Sequence, residues 1–263
     1  MRNTLAIARK ELNVYFTTPM AYAAFCFVTV LGSYIFIYCV QGFSRASLMA
    51  MQGFYDSTRI NLTDLVLTPT LTNLGVLVGF VAPFVTMRLL AEEKRQHTME
   101  LLMTTPVRPT EIVLGKFFAA WSVVVVSIGF TFIYPVVLQV YGASAGSTAP
   151  IEWATVATGY AGLLLWGGAV VAIGLFVSSR TENQAVAAVI GLAVTFGLWL
   201  IAGAASGTTD ELAKQIFGDL GWIPHIASMA SGSVSTKDIA YFISLMVLAL
   251  FLTQRTVEAQ RWS

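Results

Sequence analysis

The stretch Arg88-Leu-Leu-Ala-Glu-Glu-Lys-Arg-Gln-His-Thr-Met-Glu-Leu-Leu-Met-Thr-Thr-Pro-Val-Arg-Pro-Thr-Glu-Ile-Val-Leu-Gly-Lys116 separates two apolar runs that are each long enough to cross a bilayer. It carries nine charged side chains, in a chain of which only 11% of the residues are charged. A charged side chain at the centre of a bilayer costs roughly 2.5 to 3.5 kcal/mol on insertion scales. The stretch is therefore predicted to lie in water, on one side of a membrane.

A short helix is predicted inside this charged loop, which we place at residues 91–109. Thr98 is suited to cap the helix, Glu100 lies in its first turn, and Pro106 ends it. The apolar positions of the helix are Met99, Leu102 and Met103. Their spacing of i, i+3 and i+4 puts them on one face. Two roles are open for this face: docking onto a partner protein, or packing on lipid headgroups and neighbouring spans.

The rest of the chain predicts an all-α polytopic membrane protein. Hydrophobic residues make up 56% of the chain and its mean hydropathy is +0.73. Six transmembrane helices are predicted at 20–41, 65–90, 111–141, 153–178, 184–204 and 238–254. Residues 3–17 form an imperfect amphipathic stripe, which indicates an interfacial helix or an extension of the first span. Residues 205–236 are too polar to span but apolar enough to re-enter the membrane, and they are predicted as an outer gate segment.

Several element ends are marked by turn and capping residues. Thr110 is predicted to cap the third span with Glu111 in its first turn, and Thr181 to cap the fifth. Pro135 is expected to bend the third span. The polar residues 41–64 are predicted as a loop that carries a short surface helix.

Lysine and arginine residues set the predicted orientation. Eleven of them fall at the two termini, in the stretch from Arg88 to Lys116 and at Arg180, and four fall in the segments on the other side. Cytoplasmic loops carry the excess of these residues. Both termini and the charged loop are therefore predicted to be cytoplasmic in a bacterial inner membrane.

The chain lacks several kinds of functional site. The apolar interiors of the six predicted spans contain no Asp, Glu, Lys, Arg or His, which argues against proton-driven carriers, ion pumps and membrane proteases. Glu152 and His225 are interpreted as interfacial residues, and two histidines predict no metal site. Gly115-Lys116 is not a nucleotide-binding loop, because Thr110 and Phe117 replace its glycine and its Ser or Thr. Energy is therefore expected from a partner, and a net charge of +1 gives no indication of nucleic acid.

A family resemblance rests on the order of several motifs. These are Met87-Arg-Leu-Leu-Ala-Glu-Glu-Lys-Arg95, His97-Thr-Met-Glu-Leu-Leu102, Pro106, Gly115-Lys116 and Thr181-Glu-Asn-Gln184. The pattern resembles ABC-2 type permeases, most closely the branch that includes the gliding-motility permease and the permease for nitrous-oxide-reductase maturation. The chain departs from that branch at His97, where glycine is usual. A positive φ is less favourable for histidine than for glycine, so the turn before Thr98 is expected to differ from the turn in that branch.

The resemblance implies a fold like that of type V ABC exporters. Two six-span subunits would face each other above a dimer of cytoplasmic ABC ATPases, and the second subunit would be another copy of this chain or a related permease. ATP and Mg would bind to the ATPase, and no cofactor would bind to this chain. The residues expected to couple to the ATPase are Glu92, Glu93, Lys94, Arg95, Thr98, Met99, Glu100, Leu101, Leu102, Met103 and Pro106. Those expected to face the central pathway are Tyr34, Tyr38, Asn73 and Trp199.

The predicted function is that of a non-catalytic permease subunit, which couples ATP hydrolysis by a separate chain to export or rearrangement across the membrane. One alternative is a mechanical complex that drives an extracytoplasmic or accessory membrane partner without transporting a substrate. A passive channel and a membrane-embedded enzyme are further alternatives. The enzyme would need a nucleophile and a base in register, and the sequence shows no such pair.

Overall fold

The computed structural model describes residues 2–52, 61–99, 107–142, 151–207 and 210–260, and all regular structure in these ranges is helical. The helices are α1 (Arg2–Thr17), α2 (Pro19–Met51), a π-helical turn (Thr63–Leu67) leading into α3 (Thr68–Thr86), α4 (Ala91–Arg95), α5 (Pro109–Thr131), α6 (Ile133–Gly142), α7 (Trp153–Arg180), α8 (Gln184–Gly207), α9 (Glu211–Leu220), α10 (Trp222–Ala230) and α11 (Thr236–Ala259). Within the described ranges, six helical segments are long and apolar enough to cross a membrane, which confirms the predicted fold class.

The six spans are α2, α3 with its flanking turns, α5 continued by α6, α7, α8 and α11. An even number of spans places both chain ends on the same side of the membrane. We call this side the terminal face; it contains α1, residues 87–99 and the start of α5. The opposite side, which contains α9 and α10, is the distal face.

The core of the bundle is formed by α3 and α7. In the most apolar part of each span, 72% of the residues are buried in α3 and 78% in α7, against 17% in α2 and 22% in α8 and α11. Glycines on α7 allow close packing against its neighbours: a Cβ atom on Gly167 would lie 2.9 Å from Val124 of α5, and one on Gly174 would overlap Thr86 of α3. Small residues at helix interfaces let membrane helices approach closely.

The first span is longer than predicted. Residues 41–51 continue α2 to Met51, where a loop with a separate surface helix was expected. At 1.5 Å per residue, its 33 residues extend about 50 Å, whereas the hydrocarbon core is about 30 Å thick. No proline interrupts residues 41–51, so the helix continues beyond the apolar run at its distal end. Residues 53–60 lie outside the described residues.

The third span is interrupted at Phe132, close to Pro135, where a bend was predicted. α5 ends at Thr131 and α6 begins at Ile133, so Pro135 lies in the first turn of α6. Proline has no N–H to donate to the carbonyl group of residue 131, which interrupts the helical ladder at this point.

Two predicted caps are wrong. Arg108 is the N-cap of α5 and its N–H donates to Glu111 Oε2 at 3.2 Å, because Pro109 takes the first helical position and Thr110 lies inside the helix. At α8, Asn183 Oδ1 accepts the N–H of Ala185 at 2.9 Å. Thr181 instead accepts the N–H of Asn183.

The segment on the distal face forms two short helices. α9 is amphipathic, with Leu212, Ile216 and Leu220 exposed. α10 is buried against the bundle: Trp222 stacks on Trp166 of α7 with ring centroids 4.5 Å apart, and Ile226 is fully buried. Thr68 of α3 donates a hydrogen bond to the carbonyl oxygen of Ala230 at 3.0 Å, which ties the end of α10 to the second span.

Candidate functional site

The terminal face brings α1 onto the first turns of the third span. Gly115 makes this contact possible, because a Cβ atom there would lie 2.9 Å from Ile7 side-chain atoms and from the carbonyl oxygen of Thr4. Asn3 adds a polar contact by donating to Glu111 Oε2 at 3.2 Å. Helix α1 is thus attached to the third span as well as to the first.

A buried lysine joins three segments of this face. Lys116, on α5, is 1% exposed, and its Nζ lies 2.9 Å from Glu11 Oε1 of α1 and 2.7 Å from Glu93 Oε1 of α4. It also donates to the carbonyl oxygen of Leu89 at 2.7 Å. An ammonium group has three protons to donate, and these three acceptors use all of them. We call this set of four residues the Lys116 cluster.

The charges of the Lys116 cluster do not cancel. One ammonium group faces two carboxylates, and Glu93 Oε2 is buried with no hydrogen-bond partner. Removing one partner of such a buried pair leaves an uncompensated charge, which typically costs about 3 to 5 kcal/mol. The cluster therefore depends on its lysine.

Arg88 connects the break between α1 and α2 to the end of the second span. Its guanidinium group donates to Thr18 Oγ1 at 3.2 Å, lies 5.5 Å from the ring centroid of Tyr15, and is 3.6 Å from a carboxylate oxygen of Glu92. The Tyr15 hydroxyl donates to the carbonyl oxygen of Val85 at 2.6 Å. Burial raises the pKa of Tyr15, so the hydroxyl remains a neutral donor.

A serine at the end of α7 holds the other side of the same segment. Ser178 Oγ accepts the N–H groups of Leu90 and Ala91, each at 3.1 Å, and donates to the carbonyl oxygen of Met87 at 3.0 Å. Lys94 Nζ donates to the carbonyl oxygen of Ser179. Residues 87–94 are therefore bound to the fourth span as well as to α1 and α5.

A cleft of about 390 Å³ opens between α1 and residues 88–98. Its charged lining is Lys10, Glu11, Arg88, Glu92, Glu93 and Lys116. No group of three or more His, Cys, Asp or Glu residues within the described ranges could hold a metal ion. The arrangement is suited to mechanical linkage: it joins α1, the loop after the second span and two further spans through polar contacts.

Comparison with protein families gives one match. The model of the ABC-2 family transporter proteins matches residues 5–256. The chain belongs to this family. A search among curated proteins gave no match. The chain is therefore an ABC-2 permease with multiple membrane spans, and membrane permeases of this family typically work with ATPase partners.

In this permease, the predicted coupling residues divide into four sets. Glu93 and Lys94 make the buried contacts described above, and Glu92, Arg95 and Thr98 are partly or fully exposed. Met99 is 6% exposed and belongs to the hydrophobic core, so its side chain is not available to a partner in this conformation. Glu100, Leu101, Leu102, Met103 and Pro106 lie outside the described residues.

The turn before Thr98 keeps the conformation that glycine favours, contrary to expectation. His97 has φ 56°, the only positive φ of a non-glycine residue within the described ranges. Histidine is one of the residues that enter the left-handed region more often than most. His97 therefore adopts a left-handed backbone conformation that glycine would adopt without strain.

The predicted pathway residues lie on the permease surface that one chain leaves uncovered. Tyr34 and Tyr38 on α2 are 69% and 68% exposed. Asn73 is exposed and donates to the carbonyl oxygen of Pro69 within its own helix, and Trp199 packs edge-on against Phe196.

Sequence reasoning missed the role of Glu11 and Lys116. From sequence, Lys116 is a positive charge on the predicted cytoplasmic side and part of the Gly115-Lys116 motif, and Glu11 has no predicted role. The available signal was position: Lys116 lies in the third turn of a helix, where Phe117 follows and Ala119 and Ala120 are fully buried. A lysine inside an apolar helix requires a charge partner. The acidic residue of that helix, Glu111, lies five positions earlier rather than at the three- or four-residue spacing of a helical ion pair, so the partner has to come from another segment.

Proposed function

We propose that this chain is a permease subunit that couples ATP hydrolysis by a separate cytoplasmic ABC ATPase dimer to export or rearrangement across the bacterial inner membrane. The terminal face would be cytoplasmic, in keeping with its eleven of fifteen lysine and arginine residues. The resemblance of residues 87–102 supports assignment to the gliding-motility and nitrous-oxide-reductase-maturation branch. ATP and Mg would be held by the ATPase.

The Lys116 cluster is the observation that carries this proposal. A force applied to residues 91–109 or to α1 reaches Lys116 through Glu93 or Glu11, and Lys116 belongs to the third span. Ser178 carries the same force to the fourth span. Because these contacts are buried and charged, the loop cannot move far without moving the spans.

The test is to purify the permease with its associated ATPase from native membranes and to compare wild type with the variant E11Q/E93Q/K116M. This variant removes the ionic links and retains similar side-chain volume. We expect the ATPase to remain bound and its stimulation by the permease to fall severalfold. K237M, which removes an exposed ion pair on the distal face, is the control and should leave stimulation unchanged.

Two outcomes would contradict the proposal. If no ATPase accompanies the wild-type permease, the chain is not a subunit of such a transporter. If the triple variant is stimulated as strongly as wild type, the Lys116 cluster does not transmit the force.

The second subunit is proposed to be another copy of this permease or a related one, seated on α2. The uncovered side of α2 carries the large exposed residues Tyr22, Phe27, Val30, Tyr34, Ile37 and Tyr38. A face of this kind meets either lipid or a second membrane helix, and its aromatic residues favour a protein partner that can pack against them.

A second candidate function is favoured by the length of α2. The helix extends about 20 Å farther than the hydrocarbon core requires, and its end exposes Leu48, Met49 and Met51. An apolar tip in water is suited to hold an extracytoplasmic partner, as a mechanical complex requires. Transport of a molecule into reconstituted vesicles that contain only the permease and its ATPase would contradict this second function.

A further inference from the structure

A buried acid–base pair lies on the distal face, about a bilayer away from the Lys116 cluster. His225 of α10 and Asp238 in the first turn of α11 are 4% and 5% exposed. His225 Nδ1 lies 2.6 Å from Asp238 Oδ1, and Nε2 lies 3.1 Å from the backbone carbonyl oxygen of Asp219 on α9. One imidazole ring therefore bridges all three helices of this face.

The neighbouring groups reinforce this bridge. Tyr241 of α11 stacks on the His225 ring with centroids 4.2 Å apart, and its hydroxyl donates to the carbonyl oxygen of Leu220 at 2.7 Å. The last carbonyl groups of α9 are thus held by two side chains from outside that helix. These carbonyl groups have no partner within the helix, so the bridge also satisfies them.

The two contacts of the His225 ring require two protons. A carbonyl oxygen only accepts, so Nε2 must carry a proton to bond Asp219. A second proton must lie between Nδ1 and Asp238 Oδ1, since otherwise two lone pairs would meet at 2.6 Å. A neutral histidine and an ionised aspartate share only one such proton. The two contacts of the His225 ring need two protons, so the observed His225–Asp238 pair carries one proton more.

The environment of Asp238 favours this extra proton. Its second oxygen, Oδ2, is buried without a hydrogen-bond partner. An uncompensated carboxylate in such a place is costly, whereas a pair with no net charge is not. The protonated pair is neutral overall, whether the second proton resides on nitrogen or on oxygen.

We infer that His225 and Asp238 form a proton-binding site that fastens the end of α9 to α10 and α11, and that loss of its proton releases α9. The inference is independent of the proposed coupling to an ATPase. When the proton leaves, only one of the two contacts to the imidazole can persist. The contact to Asp219 is the longer one, and it is made to a neutral acceptor, so it opens first.

The other charged groups near the site are few. The Asp219 carboxylate pairs with Lys237 at 2.7 Å, and both side chains are more than half exposed. The contacts to α10 from α3 and α7 come from uncharged side chains: Thr68 and Thr158 donate to backbone carbonyl groups, and Trp166 stacks on Trp222. The proton on the pair is therefore the group whose loss alters this junction.

The test compares the full-length permease in lipid nanodiscs with the variant D238N. The side-chain amide that this variant introduces can donate an N–H to Nδ1 of a neutral histidine, so both contacts persist without the extra proton. Hydrogen exchange of residues 211–220 is measured for both proteins at the same pH, from about pH 5 to about pH 8, where histidine titrates. Comparison at equal pH cancels the intrinsic pH dependence of exchange.

We expect equal protection at the acidic end and, at the alkaline end, exchange in wild type that is about 2- to 10-fold faster than in D238N, the effect of losing one hydrogen bond. A ratio of exchange rates between wild type and D238N that stays the same at every pH would overturn the inference. If D238N does not fold, H225Q replaces it, because a glutamine N–H can still reach the Asp219 carbonyl group and does not titrate.

A direct measurement is also possible because the chain has only two histidines. Histidine labelled with ¹⁵N gives a pair of imidazole nitrogen signals for each of the two rings, and the variant H97N leaves only the pair that belongs to His225. At acidic pH we expect the signals to show a proton on Nε2 of His225. As the pH rises, we expect the His225 signals to change in wild type and not in D238N. A His225 signal that does not change across the whole range would overturn the inference.

Discussion

At the scale of single residues, the terminal face depends on side chains that satisfy several partners at once. Lys116 uses three protons on three acceptors, and Ser178 accepts two N–H groups while donating to a third partner. Each holds segments that are far apart in sequence. Loss of one such residue therefore leaves several buried polar groups without a partner.

Substitution of the buried lysine should show this dependence. K116M is expected to lower the free energy of unfolding by about 3 to 5 kcal/mol, because Glu11 and Glu93 are left as buried unpaired charges. The variant E11Q/E93Q/K116M should recover most of the loss. Chemical unfolding in detergent, followed by tryptophan fluorescence, provides the measurement. If K116M were as stable as wild type, the Lys116 cluster would not contribute to the free energy of unfolding.

The strained turn at His97 leads to a second prediction. H97G should raise the free energy of unfolding by about 1 kcal/mol, since a left-handed backbone costs a non-glycine residue roughly that amount. The matched control is Q96G, because Gln96 has φ −89° and gains nothing from glycine. Equal effects of the two substitutions would refute the assignment of strain to His97.

At the scale of helices, close packing of α7 against α3 organises the bundle. Gly174 has no room for a side chain, because its Cβ would overlap Thr86 Oγ1 of α3. Gly197 of α8, by contrast, has nothing within 4 Å of the same position. The same substitution should therefore have opposite effects on the two helices.

We expect G174A to destabilise the permease by about 1 to 3 kcal/mol through overpacking. G197A should be neutral or slightly stabilising, because alanine is the better helix former. The double variant G174A/T86A should recover part of the loss by removing the overlapping hydroxyl. Thermal unfolding of all four proteins in one detergent gives the comparison, and equal behaviour of the two glycine variants would contradict it.

At the scale of the whole molecule, the two faces are built differently. The terminal face is joined by buried charges, and the distal face by aromatic stacking and one acid–base pair. Helices α3 and α7 connect them, and α2 and α8 remain largely uncovered. The uncovered sides of α2 and α8 are the surfaces left for lipid or for the proposed second subunit.

A second copy on α2 can be detected by cross-linking. In a C26S/C39S background, Y38C is expected to form a disulfide between chains in native membranes, because Tyr38 is 68% exposed on the proposed interface. V247C, which is 60% exposed on α11, is the control and should remain monomeric. Cross-linking of V247C without cross-linking of Y38C would place the interface on α11 instead of α2.

The sequence alone was sufficient to predict the membrane class, the six spans and the interruption of the third span near Pro135. Apolar runs of bilayer length and a proline inside one of them are local properties, and they hold whatever the helices pack against. The family followed from the order of motifs around residues 87–102. The extension of α2 and the caps at Arg108 and Asn183 were missed, because several nearby residues compete locally for these roles.

Only the tertiary structure decided which polar residues meet. Glu11 and Lys116 are 105 positions apart, and nothing in their local patterns links them. His225 and Asp238 are closer in sequence, yet their pairing depends on how α10 turns back against the start of α11. Contacts of this kind arise from packing between elements, where burial requires each charge to find whatever partner the fold brings within reach.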